Sequence, residues 1–188
     1  MVWNKSKLQK QYQSKKKLNF LFFWGHQKAK DHTISKSCFS QWWSCQFKDE
    51  AYTYYSAEQY MMSEKAKLFN DTTIREQIID CRNPKQIKAL GRQIQHFDQS
   101  IWDKNKYDIV VQGNLLKFSQ NPSLKKYLQD TKNKILVEAS PVDKIWGIGR
   151  AEEDPKSMNP LLWKGENLLG FALMEVRELL NKEKNSSL

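Results

Sequence analysis

Ser56-Ala57-Glu58-Gln59-Tyr60-Met61-Met62-Ser63-Glu64-Lys65-Ala66-Lys67-Leu68-Phe69 reads as one helix, and the rest of the chain is arranged around it. Ser56 followed three residues later by Gln59 is a capping box, in which each side chain satisfies an orphan N–H at the helix start. At about 100° per residue, Glu58, Met61, Met62, Lys65, Leu68 and Phe69 fall on one stripe. The apolar members belong in a core. Glu58 and Lys65 are ionisable, and the helix carries them toward the same core. Burying an acid and an amine is costly unless they pair, bind something or shift pKa. Either their heads reach water at the stripe's edge, or they are candidate chemistry.

Upstream of this helix, residues 19–24 predict a short buried strand, followed by Gly25-His26, a polar loop to Lys36, and an apolar, aromatic segment over 38–47. Residues 49–55 predict a turn and a short strand. Downstream, Thr73 with Glu76 repeats the capping-box spacing and opens a helix to about Cys81. Asn83-Pro84 supplies an N-cap and a proline at the first helical position, and that helix stops near Gly91. Ser100 opens a longer helix carrying Trp102, Tyr107, Val110 and Phe118; Asn121-Pro122 caps another over 123–130. Residues 134–139 are β-branched enough for a strand. The glycine-containing loop over 140–160 is long enough to be a binding segment, and an apolar stripe over 166–182 makes the last helix. The expected fold is α+β, a mostly helical single domain with a small β-sheet. It occupies 18–182, between a basic, mobile tail over 1–17 and a frayed end over 183–188.

A chain of 188 residues that is 39% hydrophobic and 28% charged suits one soluble globular domain. No apolar run approaches the roughly 20 residues that span a bilayer, and no signal peptide is recognisable at the start. No membrane partner is expected. Three cysteines without paired spacing (Cys38, Cys45, Cys81) fit a reduced, cytoplasmic setting. With His26, His32 and His96 they complete no ligand set, so neither metal nor cofactor is predicted. Net charge is +10, and the six lysines of residues 1–17, unopposed by any acid, leave +4 for the remainder. Such a tail is a solvated terminus or a weak nucleic-acid contact. The body's charge suits a phosphorylated substrate.

Four clusters could carry chemistry. Glu58 and Lys65 lie two turns apart, about 10 Å along the axis, and the lysine leans back toward the acid. Glu138-Ala139-Ser140-Pro141-Val142-Asp143-Lys144-Ile145-Trp146-Gly147-Ile148-Gly149 brings a carboxylate, an indole and two glycines into a loop. The glycines either admit a ligand to the backbone or merely permit turns. Trp163-Lys164-Gly165-Glu166-Asn167-Leu168-Leu169-Gly170 puts N–H donors at the start of the last helix, for an anion or for ordinary capping. Trp102, with Gly91-Arg92 upstream, is either core or a stacking face. Two carboxylates from distant segments, Glu58 and Asp143, together with an amine, invite comparison with glycosidases. The residues themselves do not single out glycosides.

Several strings resemble a known family in order: Phe23-Trp24-Gly25-His26, Phe39-Ser40-Gln41-Trp42-Trp43, the Ser56–Ala66 stretch, Leu90-Gly91-Arg92, Lys117-Phe118, Glu138–Gly149 and Trp163–Gly170. Together they closely resemble the YbiA-like proteins of the NADAR (NAD and ADP-ribose) superfamily, over roughly residues 20–181. The resemblance implies an N-glycosidase, a hydrolase acting on N-glycosyl compounds. Its substrate would be an early riboflavin-pathway intermediate, a ribosylamino-pyrimidine phosphate, or alternatively ADP-ribosylated guanine. It also implies catalytic roles for Glu58, Lys65 and Asp143, with Trp102 and Trp146 stacking on the base or ribose. Arg92, Gly147, Gly149, Asn167 and Gly25 would line the substrate site. Gln59 and Val142 depart from the residues frequent in the family and leave substrate choice open. A binder of ADP-ribose or NAD-like ligands without catalysis is the rival reading.

Overall fold

The computed structural model describes residues 3–27 and 33–186; of the histidines, His32 lies outside them. In chain order the elements are α1 (Lys5–Gln13), β1 (Phe20–Phe23), β2 (Phe47–Lys48), β3 (Thr53–Tyr54), α2 (Ala57–Leu68), α3 (Thr72–Asp80), α4 (Pro84–Leu90), α5 (Gln99–Ser119), α6 (Pro122–Asp130), β4 (Ile135–Glu138) and α7 (Leu168–Ser186). Short 3₁₀ turns lie at Lys36–Phe39, Pro155–Met158 and Pro160–Leu162. The α+β, mostly helical architecture is the expected one. Its strands form two separate two-stranded pieces. The chain divides into two compact units, Met1–Ser40 with Ser123–Leu188, and Gln41–Pro122.

In the unit formed by both ends of the chain, β1 runs parallel to β4, with Phe20 opposite Ile135 and Phe23 opposite Glu138. Ile135 donates to Asn19 O and Ala139 to Phe23 O, which extends the pairing beyond both ends. Helix α7 covers β4 with a buried face of Leu169, Ala172, Leu173, Val176 and Leu180. Arg177, also buried, is satisfied by the Thr131 hydroxyl at 2.7 Å and Lys134 O at 3.0 Å. Residues 5–13, expected to be part of a mobile tail, form a helix. Asn4 caps it by accepting from Lys7 N–H at 2.8 Å, and Leu8 is fully buried. The lysines dominate the composition of this stretch, but Leu8 gives it an apolar anchor.

In the Gln41–Pro122 unit, the β2–β3 hairpin stacks Phe47 and Tyr54 against Tyr60 of α2. α2 is packed against β3, α3, α4 and α5, so all of its residues from Ala57 to Met62 are buried. The single stripe drawn from periodicity is therefore too narrow, because the helix is enclosed on several sides. Half of the predicted capping box forms: Ser56 Oγ accepts from Gln59 N–H. The Gln59 side chain does not return to Ser56. Its oxygen accepts from Tyr55 N–H at 2.8 Å, and its nitrogen donates to the carbonyls of Ile78, Ile79 and Cys81 at the end of α3. Two predicted helix starts move as well. Asp71 and Asp98 cap α3 and α5, in place of Thr73 and Ser100, each accepting from the N–H three residues on.

Candidate active site

Glu58 stands in the first turn of α2 and is only 6% exposed. Its backbone N–H donates to Gln41 O at 2.9 Å, which ties the helix start to the segment before β2. Two turns on, the Lys65 ammonium donates to Gly91 O at 2.9 Å. It lies 4.3 Å from the ring centre of Phe97 and 5.6 Å from that of Trp102. Burial pulls the Lys65 pKa below its ordinary value, and the nearby charge of Glu58 opposes that shift without cancelling it. The edge-of-stripe alternative is thus excluded for Glu58. Lys65 keeps a partly open side.

Phe97 and the Gly91 carbonyl are components that sequence reading missed. The first had a signal: with Asp98 as N-cap, Phe97 and Trp102 occupy the N′ and N4 positions of a hydrophobic staple. Placing the start of α5 at Ser100 hid it. Arg92 is exposed beside Gly91, and its side chain makes no hydrogen bond or ion pair among the described residues.

The other predicted residues belong to the unit built on β1 and β4. Asp143 folds its own loop: Oδ1 accepts from the N–H groups of Ile145 and Trp146, both at 2.8 Å. Its backbone N–H donates to Ser140 Oγ, and its carbonyl accepts from Gly149 N–H. Oδ2 receives no hydrogen bond from the described residues. Trp146 is half-buried, with Val142 and Ile145 exposed beside it. The two glycines have structural reasons to be there. A Cβ at Gly147 would stand 2.9 Å from Glu138 O, and Gly149 has φ +65°. Gly25 is exposed just past β1.

Asn167 is fully buried, its oxygen accepting from Glu138 N–H and its nitrogen donating to Leu136 O, so it clamps β4 and does not face a ligand. The expected anion site at the start of the last helix is likewise consumed. The N–H groups of Glu166, Asn167, Leu168 and Leu169 donate to the carbonyls of Lys144, Gly147, Ile145 and Trp146. Those orphan donors serve to hold the Trp146 loop. Among the described residues no three His, Cys, Asp or Glu side chains gather as a metal site, and no helix is long and apolar enough to cross a membrane.

The NADAR domain model matches residues 22–181. The chain belongs to the NADAR domain family. N-glycosidase R617 of Acanthamoeba polyphaga mimivirus is 47% identical over 164 residues, which is 85% of this chain and 95% of that protein. Escherichia coli N-glycosidase YbiA is 30% identical over 146 residues, 78% of this chain and 82% of YbiA. The NMR structure of YbiA superposes with a TM-score of 0.69 at 26% identity over 89% of each chain. The riboflavin biosynthesis protein PYRR of Arabidopsis thaliana is 34% identical over 106 residues, 54% of this chain and 16% of that larger protein. As a NADAR protein, the chain keeps the YbiA-like fold expected from its motifs.

Proposed function

We propose that this NADAR protein is an N-glycosidase that hydrolyses the C–N bond between an amine or base and a phosphorylated ribose. A ribosylamino-pyrimidine phosphate of the riboflavin pathway is the preferred substrate. The observation that carries the reading is the Lys65 amine: half-buried, aimed by Gly91 O, walled by Phe97 and Trp102, and within the field of buried Glu58. The names of R617 and YbiA support the reaction, and the name of PYRR supports the pathway.

In this reading the C1′–O4′ bond of the glycosylamine breaks, a proton passes to O4′, and C1′ is held as an iminium by the leaving nitrogen. Neutral Lys65 adds to C1′, a proton passes to the leaving nitrogen, and the amine departs as a Lys65–C1′ imine forms. Water then hydrolyses the imine and returns the lysine. Glu58, whose charge acts on Lys65, is the proton carrier beside the amine, and the family resemblance assigns Asp143 a second catalytic role. Trp102, beside the Lys65 amine, offers a face to base or ribose, and the family resemblance assigns a stacking role to Trp146 as well. Lowering the lysine pKa raises the fraction of nucleophilic amine at neutral pH.

The test is to incubate pure protein separately with a ribosylamino-pyrimidine phosphate and with ADP-ribosylated guanosine, following products by mass spectrometry. Ribose 5-phosphate from the first supports the reading. ADP-ribose from the second alone moves the substrate to modified guanine. Tight binding of either without turnover favours a sensor and overturns the enzymatic proposal.

A further inference from the structure

We infer that α1, which precedes the residues matched to the NADAR domain, is a positioning brace for the loop that carries Asp143 and Trp146. The inference rests on the reading of that loop as part of the active site. A nine-residue lysine-rich helix is too short to persist in water by itself. Its persistence requires a docked face, and the contacts identify what it docks on. α1 packs on the 3₁₀ turn Pro160–Leu162. Leu8 is wholly buried, Gln9 donates to Pro160 O at 3.0 Å, and the Lys5 ammonium pairs with Glu166 at 3.1 Å.

From there the connection to the loop is short. Trp163 is buried, with its indole N–H donating to Ser157 O at 2.6 Å. The next six residues are zipped to the loop through their backbone N–H groups. Lys164 and Gly165 donate to Ile148 O, Glu166 to Lys144 O, Asn167 to Gly147 O, Leu168 to Ile145 O, and Leu169 to Trp146 O. Residues 160–169 are therefore gripped on one side by α1 and on the other by the catalytic loop. Loosening the first grip shifts the second, and a displacement of about 1 Å at a reacting group is worth up to about a hundredfold in rate. On this account the N-terminal segment is part of the enzyme's working structure. As a detachable polyanion-binding tail, it would be removable without effect on turnover.

The experiment compares full-length wild type with Leu8→Asp, with Leu8→Met as the conservative control. Hydrogen exchange is read by mass spectrometry alongside steady-state kinetics on whichever substrate the wild type turns over. The expected result for Leu8→Asp is faster exchange in α1 itself, at Leu161 and Leu162 beneath it, and at residues 144–149 and 164–169. Protection is kept in the rest of α7 and in α2, and kcat/KM falls about tenfold. Leu8→Met restores both. Unchanged exchange at 164–169, or uniform acceleration throughout the chain, overturns the brace. Should Leu8→Asp fail to fold, Lys5→Glu with Gln9→Ala gives the same readout. Adding Glu166→Lys then restores protection if the ion pair is part of the grip, and failure to restore it contradicts that. A wild type inactive on every substrate removes the proposed function, and the exchange pattern alone still decides the brace.

Discussion

At the scale of single residues, the account turns on Lys65. Its ammonium is stabilised by a carbonyl and two ring faces, yet burial still leaves its pKa below the ordinary value. A lysine that must be neutral to react makes kcat/KM rise with pH through that lowered pKa. A lysine acting as a cation would make it fall. Lys65→Arg keeps the charge and loses the nucleophile, so it is expected to be as inactive as Lys65→Ala in a product-release assay. The same shift has a stability sign. Because the native pKa is lowered, the unfolded chain binds more protons between the two values, and stability rises with pH across that window. Below it the buried charge is a cost, so the wild-type Tm is expected to rise with pH across that window, and Lys65→Met, which abolishes turnover, is expected to lose that part of the pH dependence. Glu58→Gln, which removes a proton carrier but little volume, should lower kcat by about 10²–10⁴-fold. Glu58 and Lys65 were legible in the sequence because two ionisable groups shared a stripe with methionines. The Gly91 carbonyl was not, since a backbone acceptor carries no residue signature and is brought to Lys65 only by the α4 turn.

At the scale of elements, local polar groups decide how the pieces join. Gln59 was legible as half of a capping box, but its amide instead closes the end of α3 and the N–H of Tyr55. Sequence spacing could not show this, because the α3 carbonyls come from about twenty residues away. Gln59→Leu strands buried backbone groups and is expected to cost about 2–3 kcal/mol, read as a lowered urea midpoint at unchanged slope. Asn167 plays the same part for β4 and the Trp146 loop. Its positive φ of 57° suits asparagine better than most residues. Asn167→Ala is expected to lose about 2 kcal/mol and to lower kcat by disordering the loop, measurable by denaturation and kinetics on the same preparation. The predicted anion site at the last helix failed for a related reason. Spare N–H donors at a helix start do mark a site for an acceptor, and here the acceptors are carbonyls of this chain.

At the scale of the whole molecule, periodicity and turn residues were sufficient to place every helix from α2 onward and both strands of the β1–β4 pair. Each is long enough, or apolar enough, to declare itself. The helix α1 was hidden by its lysines, which dominate the composition of the stretch, while Leu8, Gln9 and the Lys5–Glu166 pair dock it. The pairing of β1 with β4, more than a hundred residues apart, has no local signal at all. The family assignment then joins these parts to a reaction, and that reaction is the central claim. It is tested most directly by adding borohydride during turnover of a ribosylamino-pyrimidine phosphate and mapping the modified peptide by mass spectrometry. The account predicts a substrate-dependent ribosyl phosphate adduct on Lys65, absent from Lys65→Ala. Wild-type protein that turns substrate over at full rate without ever trapping an adduct would contradict it.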